Sequence, residues 1–273
     1  MENVPRRRTS RVHAEHPGRG ARRLRAHNHR YPTRPRGRAP KHTSIQAENS
    51  TVSGGAFNLA NDLYTSITGG CDNLAAASGS KLTLPKGVTC QSSGAQYASI
   101  SGGYTNTVSS FDASISGGIA NEALAPYSAV AGRDDNQASG EVSSVSGGYA
   151  GNALGTASSL SGGYLNHAIG PYASVSGGEE NVAEGDWSSV SGGIFNHAYG
   201  DTASISGGHN NNASGVSASV SGGEANVAFG KKSSVSGGIG NQAHAELSSI
   251  LGGYGETLST TDDSQAGSTV FTP

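Results

Sequence analysis

Aliphatic residues recur along this chain at every fifteenth position, with serine on one or both sides. From Ile100 to Ile250 the spacing is fifteen residues without a slip. The resulting Ser-Val-Ser triplets alternate polar and apolar side chains, which is the pattern of a β-strand with one buried face. Such regularity predicts that each unit lies against the one before it. The aliphatic residues expected in the core include Val145, Val175, Val190, Ile205, Val220 and Val235.

Each fifteen-residue unit, here called a coil, begins with Ser-Gly-Gly at positions 1 to 3 and follows one consensus. Position 6 is asparagine, position 8 is nearly always alanine, position 10 is mostly glycine and position 15 is aliphatic. Glycine at position 10 predicts a turn with a positive φ, which asparagine also tolerates. Asparagines stacked from coil to coil can satisfy one another's amides, so we expect them to be structural rather than ligand-binding. They include Asn166, Asn181, Asn196 and Asn226.

The consensus predicts an all-β protein, a parallel β-roll or solenoid in which each coil holds two short strands and two turns. A helix is excluded because glycine at three of fifteen positions would cost it roughly 1 kcal/mol each, and the apolar positions do not follow a period of 3.6. Coils of this kind stack about 4.8 Å apart, so about 13 of them make a rod on the order of 60 Å long.

The predicted core is thin, because large apolar residues are scarce. The 273 residues include 42 glycines but only five phenylalanines, one tryptophan and one methionine. One valine and one alanine per coil bury little apolar surface, so a single chain is expected to need partners. Position 4 is often large, as in Tyr149, Tyr164 and Ile194. We expect position 4 to face a neighbouring subunit, and we predict a homotrimer.

The net charge of −2 hides two different segments. Residues 1–49 hold 13 of the 18 lysines and arginines and three acids, whereas the remainder has five bases and 17 acids. We predict a disordered Arg/Pro-rich tail at 1–49, a β-roll domain at 50–258 with an insertion in 71–97, and a C-terminal tail at 259–273. An arginine-rich arm can bind nucleic acid, but this one has few aromatic residues and the acidic coils repel phosphate, so no nucleic-acid partner is expected.

Two further sequence features concern membranes and export. No run of 18 apolar residues occurs, so no membrane-spanning helix is predicted. The N-terminus has the positive charge of a signal peptide, but no apolar segment follows it. The sequence therefore predicts no recognisable signal peptide.

Both cysteines lie where the fifteen-residue register is broken. Residues 68–100 span 33 positions, which we interpret as one ordinary coil and one coil with a three-residue insertion near 78–85. If Lys86 opens the second coil, Cys71 and Cys90 stand at positions 4 and 5 of neighbouring coils. Stacking then brings them near disulfide distance, and two free thiols are the alternative. A bridge would indicate an oxidising, extracellular setting, and the spacing fits no zinc motif.

No arrangement typical of catalysis or of metal binding is visible. A catalytic site needs a nucleophile or an acid–base pair that converge in one pocket. His167 and His197 occupy the same coil position two coils apart, roughly 10 Å, so they do not form a ligand pair. Acids such as Glu179 and Glu184 fill variable positions and are expected to be solvated. We therefore predict a non-enzyme without a cofactor or a metal.

The coils resemble the head domain of trimeric autotransporter adhesins, the YadA-like β-roll, which repeats a unit close to S-V-A-I-G-x-x-S-x-A-x-G. The stretch Ser174-Val175-Ser176-Gly177-Gly178, followed by Asn181, Ala183 and Gly185, has the same rhythm. The resemblance covers about 205 of the 273 residues. It implies a left-handed parallel β-roll, three chains side by side, and a cell-surface or secreted protein that binds an extracellular matrix or host-surface ligand.

Two other functions fit the same repeat. Serines at positions 14 and 1 lie on either side of the inward valine and give two outward ranks of hydroxyls, which suits an ice-binding solenoid, although threonine would be expected there for its methyl group. A viral or phage fibre segment is the second alternative, since it needs the same elongated trimer.

Overall fold

The repeats form a parallel β-solenoid, as the sequence predicts. The computed structural model describes residues 44–45, 49–76 and 95–266. Each coil contributes one strand to each of two parallel sheets, and each strand pairs with the equivalent strands of the coils before and after it. In the pair Ser174–Val175 and Ser189–Val190, for example, serine lies beside serine and valine beside valine. The all-β, fifteen-residue solenoid is therefore confirmed.

The two sheets extend beyond the predicted domain of 50–258 at both ends, and residues 1–43, 46–48 and 267–273 of the predicted tails lie outside the described residues. The first sheet, formed by positions 7 and 8, contains Ser44–Ile45, Leu59–Ala60, Leu74–Ala75, Thr107–Val108, Glu122–Ala123, Gln137–Ala138, Asn152–Ala153, His167–Ala168, Val182–Ala183, His197–Ala198, Asn212–Ala213, Val227–Ala228, Gln242–Ala243 and Thr257–Leu258. The second sheet, formed mainly by positions 14 and 15, contains Thr51–Val52, Ser66–Ile67, Ser99–Ile100, Ser114–Ile115, Ala129–Val130, Ser144–Val145, Ser159–Leu160, Ser174–Val175, Ser189–Val190, Ser204–Ile205, Ser219–Val220, Ser234–Val235, Ser249–Gly252 and Ser264–Ala266.

Both turns of the coil use left-handed backbone, at positions that the sequence does not reveal. Positions 3, 5 and 12 have positive φ in every described coil, and positions 5 and 12 are rarely glycine. In the strands the backbone N–H donates to the following coil, as Ser174 N does to Ser188 O at 2.9 Å. At positions 5 and 12 it donates to the preceding coil, as Glu180 N does to Tyr164 O at 2.8 Å and Trp187 N to Pro171 O at 2.9 Å. The left-handed residues thus reverse the direction of the peptide groups while keeping them bonded between coils.

The reason predicted for glycine at position 10 is wrong. None of these glycines has a positive φ. A Cβ on Gly200 would instead lie 2.1 Å from the carbonyl oxygen of Gly215 in the next coil, which is far inside van der Waals contact. Glycine is therefore used at position 10 because two backbones approach each other closely there, and it is position 3 that combines a positive φ with such an approach.

The predicted second coil between 68 and 100 is also wrong. Ser66–Ile67 pairs directly with Ser99–Ile100, and Leu74–Ala75 pairs directly with Thr107–Val108. No coil stands between them, so residues 77–94 are a single insertion between positions 9 and 10 of one coil. The insertion itself lies outside the described residues. Beside it, the carboxylate of Asp62 accepts the backbone N–H of Ala95 at 2.8 Å and anchors the chain as the coil resumes.

One coil replaces the position-6 asparagine by Gly151 and carries the single leucine among the position-15 residues, Leu160. A Cβ on Gly151 would lie 2.3 Å from Cδ2 of Leu160. The leucine side chain therefore occupies the volume that asparagine fills elsewhere. The two departures from the consensus compensate each other within one coil.

This compensation predicts a strong coupling between the two residues. Leu160→Val should open a cavity and lower the free energy of unfolding by about 1 kcal/mol, and Gly151→Asn should cost more because its side chain meets Leu160. The double variant rebuilds the consensus coil and should be more stable than the sum of the two changes by at least about 1 kcal/mol. Urea unfolding of the four proteins measures this, and additive effects would contradict it.

Candidate binding surfaces

The residues predicted to be structural lie inside the solenoid. The position-15 side chains meet the position-8 alanines in one continuous buried cluster between the sheets. It contains Val145, Val175, Val190, Ile205, Val220 and Val235. The core uses only a few positions of each coil. The residue types at the outward positions can therefore vary, and the coils differ mainly at their surfaces.

The asparagines form a buried column along the turn between positions 1 and 7. Asn196 donates from Nδ2 to the carbonyl oxygens of Gly192 and Gly208, each at 3.0 Å. Its Oδ1 accepts the backbone N–H of Asn211 at 3.0 Å. Each amide thus joins its own coil to the next: Asn196 supplies a partner to the Gly192 carbonyl and the Asn211 N–H, and a second donor to the Gly208 carbonyl, which also accepts Ile194 N. The same bonds to the two flanking glycine carbonyls are made by Asn166, Asn181 and Asn226.

Cys71 lies at position 4, half-buried, with Ala56 and Tyr104 as its neighbours in the stack. Its thiol is free in the structure. Burial raises the pKa of this thiol, and the Asp72 carboxylate raises the pKa further. Because the predicted coil at Lys86 does not exist, the stacking argument for a bridge is lost. Cys90 lies outside the described residues, so the disulfide itself stays a prediction.

The outer face of the first sheet carries two partly buried histidines. Val182 stands between His167 and His197 in the ladder. Nδ1 of His167 lies 3.1 Å from Nδ2 of Asn152, and Nδ1 of His197 is buried without a partner. Burial is the main cause that lowers the pKa of both imidazoles below 6.5, against a smaller opposing effect of Glu180 on His167 and of Glu184 on His197. The charge of His197 lowers the pKa of His167 further.

These shifts predict that the solenoid loses stability in mild acid. The folded protein favours the neutral imidazoles, so their contribution is complete above about pH 6.5, the unfolded pKa, and is lost as the pH falls below it. Replacing both His167 and His197 by glutamine, the residue at the same position in Gln137 and Gln242, should flatten the decline in melting temperature between about pH 7.5 and 5. An unchanged decline in this variant would contradict the assignment.

Exposed large apolar side chains gather in rows at a few coil positions. At position 4, the rings of Tyr149 and Tyr164 stack with centroids 5.3 Å apart. Exposed residues of this row include Tyr104, Tyr164, Ile194, Ile239 and Tyr254. At position 9, on the outer face of the first sheet, the exposed residues are Leu154, Ile169, Tyr199 and Phe229. Because large exposed apolar patches are typical of interaction sites, these rows are the candidate interaction surfaces of the solenoid.

A third row lies at position 12, in the turn opposite the asparagine column. The rings of Tyr64 and Tyr97 stack 5.0 Å apart, and those of Tyr172 and Trp187 stack 4.0 Å apart with an interplanar angle of 7°. Exposed aromatic residues of the row are Tyr64, Tyr97, Tyr127, Tyr172 and Trp187. The sequence interpretation missed this row, although aligning the coils in register would have shown the shared position.

A shallow groove of about 220 Å³ lies beside the asparagine column in the middle of the stack. Small side chains at position 5, Ala120 and Ala150, make room for it, and polar side chains at position 7 line it. Among these, Nε2 of Gln137 donates to the Glu122 carboxylate at 2.9 Å. Within the described residues, no three His, Cys, Asp or Glu side chains converge as metal ligands.

The outer face of the second sheet carries the two ranks of serine. Position 14 is half-buried and position 1 is mostly exposed. Serine pairs with serine in register along most of the sheet, as in Ser189 with Ser204 and Ser204 with Ser219. This face is regular and polar, in contrast to the three apolar rows.

Comparison with known proteins adds no relative. A scan against protein-family models finds no match, and a search of the curated proteins finds none either. The resemblance to the adhesin head therefore stays a prediction beyond the shared repeat architecture. In the part of the chain that is described, no helix is long and apolar enough to cross a membrane. What the geometry establishes is a β-solenoid repeat protein with a constant interior and variable outer rows, the kind of fold that suits a structural or binding role.

Proposed function

We propose that this chain is a non-catalytic rod of the cell surface or of the secreted fraction, which assembles as a homotrimer and binds an extracellular matrix or host-surface ligand. The observation that carries the proposal is the division of each coil. Constant residues fill the interior and the asparagine column, whereas exposed large apolar side chains collect in rows at positions 4, 9 and 12. Solenoids use their variable outer positions for binding, and a thin core favours association of several chains.

The row at position 4 is the proposed contact between subunits. Ile194 and Ile239 are exposed there, so association would bury apolar surface that water now contacts. Glu179 and Glu224 interrupt the row at the same coil position. They indicate that a coil folds with a carboxylate at position 4. A glutamate substituted there should therefore disrupt the contact between subunits without disrupting the coil.

Light scattering of the full chain, with a circular dichroism spectrum of the same sample, tests the assembly. We expect about three times the chain mass of 27.3 kDa and a β-sheet spectrum. The double variant Ile194→Glu and Ile239→Glu should keep the spectrum and give single chains. Phe229→Glu, a matched charge at position 9 where Glu184 already occurs, should leave the trimer intact. A parent protein that is a stable β monomer would overturn the trimer.

The serine face favours a second candidate, the ice-binding solenoid. Its hydroxyls repeat at the strand spacing of about 4.8 Å in two ranks, so they offer water a regular lattice. Thermal hysteresis of the full chain would support ice binding over ligand binding. Ser189→Tyr, in the middle of the serine face, should then abolish the hysteresis. The viral or phage fibre alternative requires the same trimer and stays a prediction.

A further inference from the structure

The stacked pair of Tyr172 and Trp187 has two ring faces open to solvent. The rings belong to adjacent coils and are parallel, so their outer faces point along the stack, toward the preceding and the following coil. The next residues at position 12 are small: Ala157 before Tyr172 and Thr202 after Trp187. Their side chains are too short to cover the rings, and Tyr172 and Trp187 remain 47% and 61% exposed.

The backbone of Tyr172 and Trp187 is in a strained conformation. Tyr172 and Trp187 have φ of 58° and 60°, where a bulky side chain costs about 1 kcal/mol or more and glycine or asparagine costs less. Stacking of the two rings offsets part of that cost. The fold does not require aromatic rings at this position, which holds Ala157, Thr202 and Ser217 in neighbouring coils, so the stacked pair points to a role outside the fold.

Polar groups flank the open face of Trp187. Oδ1 of Asp201 accepts the backbone N–H of Asp186 at 3.2 Å, which holds one carboxylate beside the other at position 11. On the following coils, the hydroxyls of Thr202 and Ser217 lie 2.8 Å apart. The indole face, two carboxylates and a pair of hydroxyls therefore share one corner of the solenoid.

We infer that this corner, formed by Tyr172, Trp187, Asp186, Asp201 and Thr202, binds a neutral sugar chain. A pyranose ring has one face of C–H groups, which packs against an aromatic face, and a rim of hydroxyls, which donate to carboxylates and exchange hydrogen bonds with hydroxyl groups. The carboxylates repel uronate and sulfate groups, so the corner selects against acidic glycans. The site lies in the turn opposite position 4, and it stays accessible when position 4 is covered.

This inference rests on the proposed function in one respect: it names a neutral glycan as the ligand that the proposed rod binds. The mass of the assembly and the binding of sugar are separate readouts. A monomer that binds sugar would refute the trimer and keep the glycan site, whereas a trimer that binds none would refute the glycan site alone.

Trp187 is the only tryptophan in the chain, so its fluorescence reports on this corner directly. The full chain is titrated with cellohexaose, laminarihexaose and chitohexaose, with hexagalacturonate as the acidic comparison and tetramethylammonium as a cationic one. We expect at least one neutral hexasaccharide to change the emission saturably below about 5 mM, and hexagalacturonate to leave it unchanged. No response to any neutral sugar, or saturation by tetramethylammonium alone, would overturn the inference.

Calorimetry with the responding sugar then locates the site. Trp187→Asn should weaken binding at least about tenfold, because the ring face is lost. Asparagine suits a φ of 60°, so the variant should keep its β-sheet spectrum and its melting transition. Phe229→Ala, which removes an equally exposed ring at position 9, is the matched control and should bind as the parent does. Equal weakening by both variants would assign the response to non-specific contact.

Discussion

Replacing Gly193 by alanine is expected to lower the free energy of unfolding by about 3 kcal/mol, whereas the same change at the adjacent Gly192 should alter it by less than about 0.5 kcal/mol. Gly193 has a φ of 86°, and a Cβ there would lie 2.2 Å from the carbonyl oxygen of Gly208. A Cβ on Gly192 would meet nothing within 4 Å. The two glycines of one Ser-Gly-Gly triplet thus differ in kind, because only the second is held against the backbone of the next coil.

Arg133 shows how the solenoid accommodates a side chain at position 3. The hydrogen bond from Asp134 N to Gly148 O, next to Arg133, is 3.4 Å long, against 2.9 Å for the equivalent bond from Tyr149 N to Gly163 O. The coils therefore separate slightly there. Urea unfolding followed by circular dichroism measures both glycine variants, and equal stability of the two would contradict the close-approach argument.

Removing one asparagine of the buried column should cost a similar amount. Asn211→Ala removes the partner of the Gly207 carbonyl at 2.9 Å and of the Asn226 N–H at 3.0 Å, and it leaves the Gly223 carbonyl with His209 N alone. Unpaired buried groups and the cavity together predict a loss of about 3 to 4 kcal/mol.

The chain offers a control in the preceding residue. Asn210 is exposed at position 5, where alanine already occurs in Ala120 and Ala225. Asn210→Ala should therefore cost less than about 1 kcal/mol, mainly through its positive φ. If both variants lose the same stability by thermal or urea unfolding, the column of amides does not hold the coils together in the way described.

The period of the chain made the interior predictable. A residue such as Val175 recurs with the same neighbours every fifteen residues, so its place in a strand and on the inner face follows from the alignment of coils. The asparagine column follows similarly, because an amide that recurs in nearly every coil must lie above another amide. The repeat predicts these interior positions because each coil packs on a neighbour with nearly the same sequence.

The turns were less predictable, because the residue types in them mislead. Left-handed backbone is expected at glycine or asparagine, yet at position 12 it is occupied by Tyr172, Trp187 and Val142. Conversely, Gly200 suggests a positive φ and has none. The hydrogen bonds to the preceding coil, not local propensity, impose these conformations.

The insertion shows a second kind of limit. Residues 77–94 number close to one coil, so counting along the sequence suggested a coil beginning at Lys86. The direct pairing of Leu74 with Thr107 shows instead that residues 76 and 95 belong to the same coil. The stacked aromatic pair at position 12 was not predicted either. The consensus treats position 12 as variable, so it gives no information on which side chains meet there.

The fifteen-residue register is the claim on which every surface assignment depends, and a cysteine pair tests it most directly. In the variant Ser189→Cys and Ser204→Cys, the two cysteines are register partners on adjacent strands. Their Cα atoms then lie about 5 Å apart, within the range of a disulfide. In the variant Ser189→Cys and Ser219→Cys the pair is two strands apart, at about 10 Å, which is too far.

Oxidation of the folded full chain, followed by peptide mapping that separates these linkages from any formed by Cys71 or Cys90, gives the result. We predict a bridge between residues 189 and 204 and none between 189 and 219. A bridge in the second variant, or none in the first, would contradict the solenoid and the rows of residues assigned to its faces.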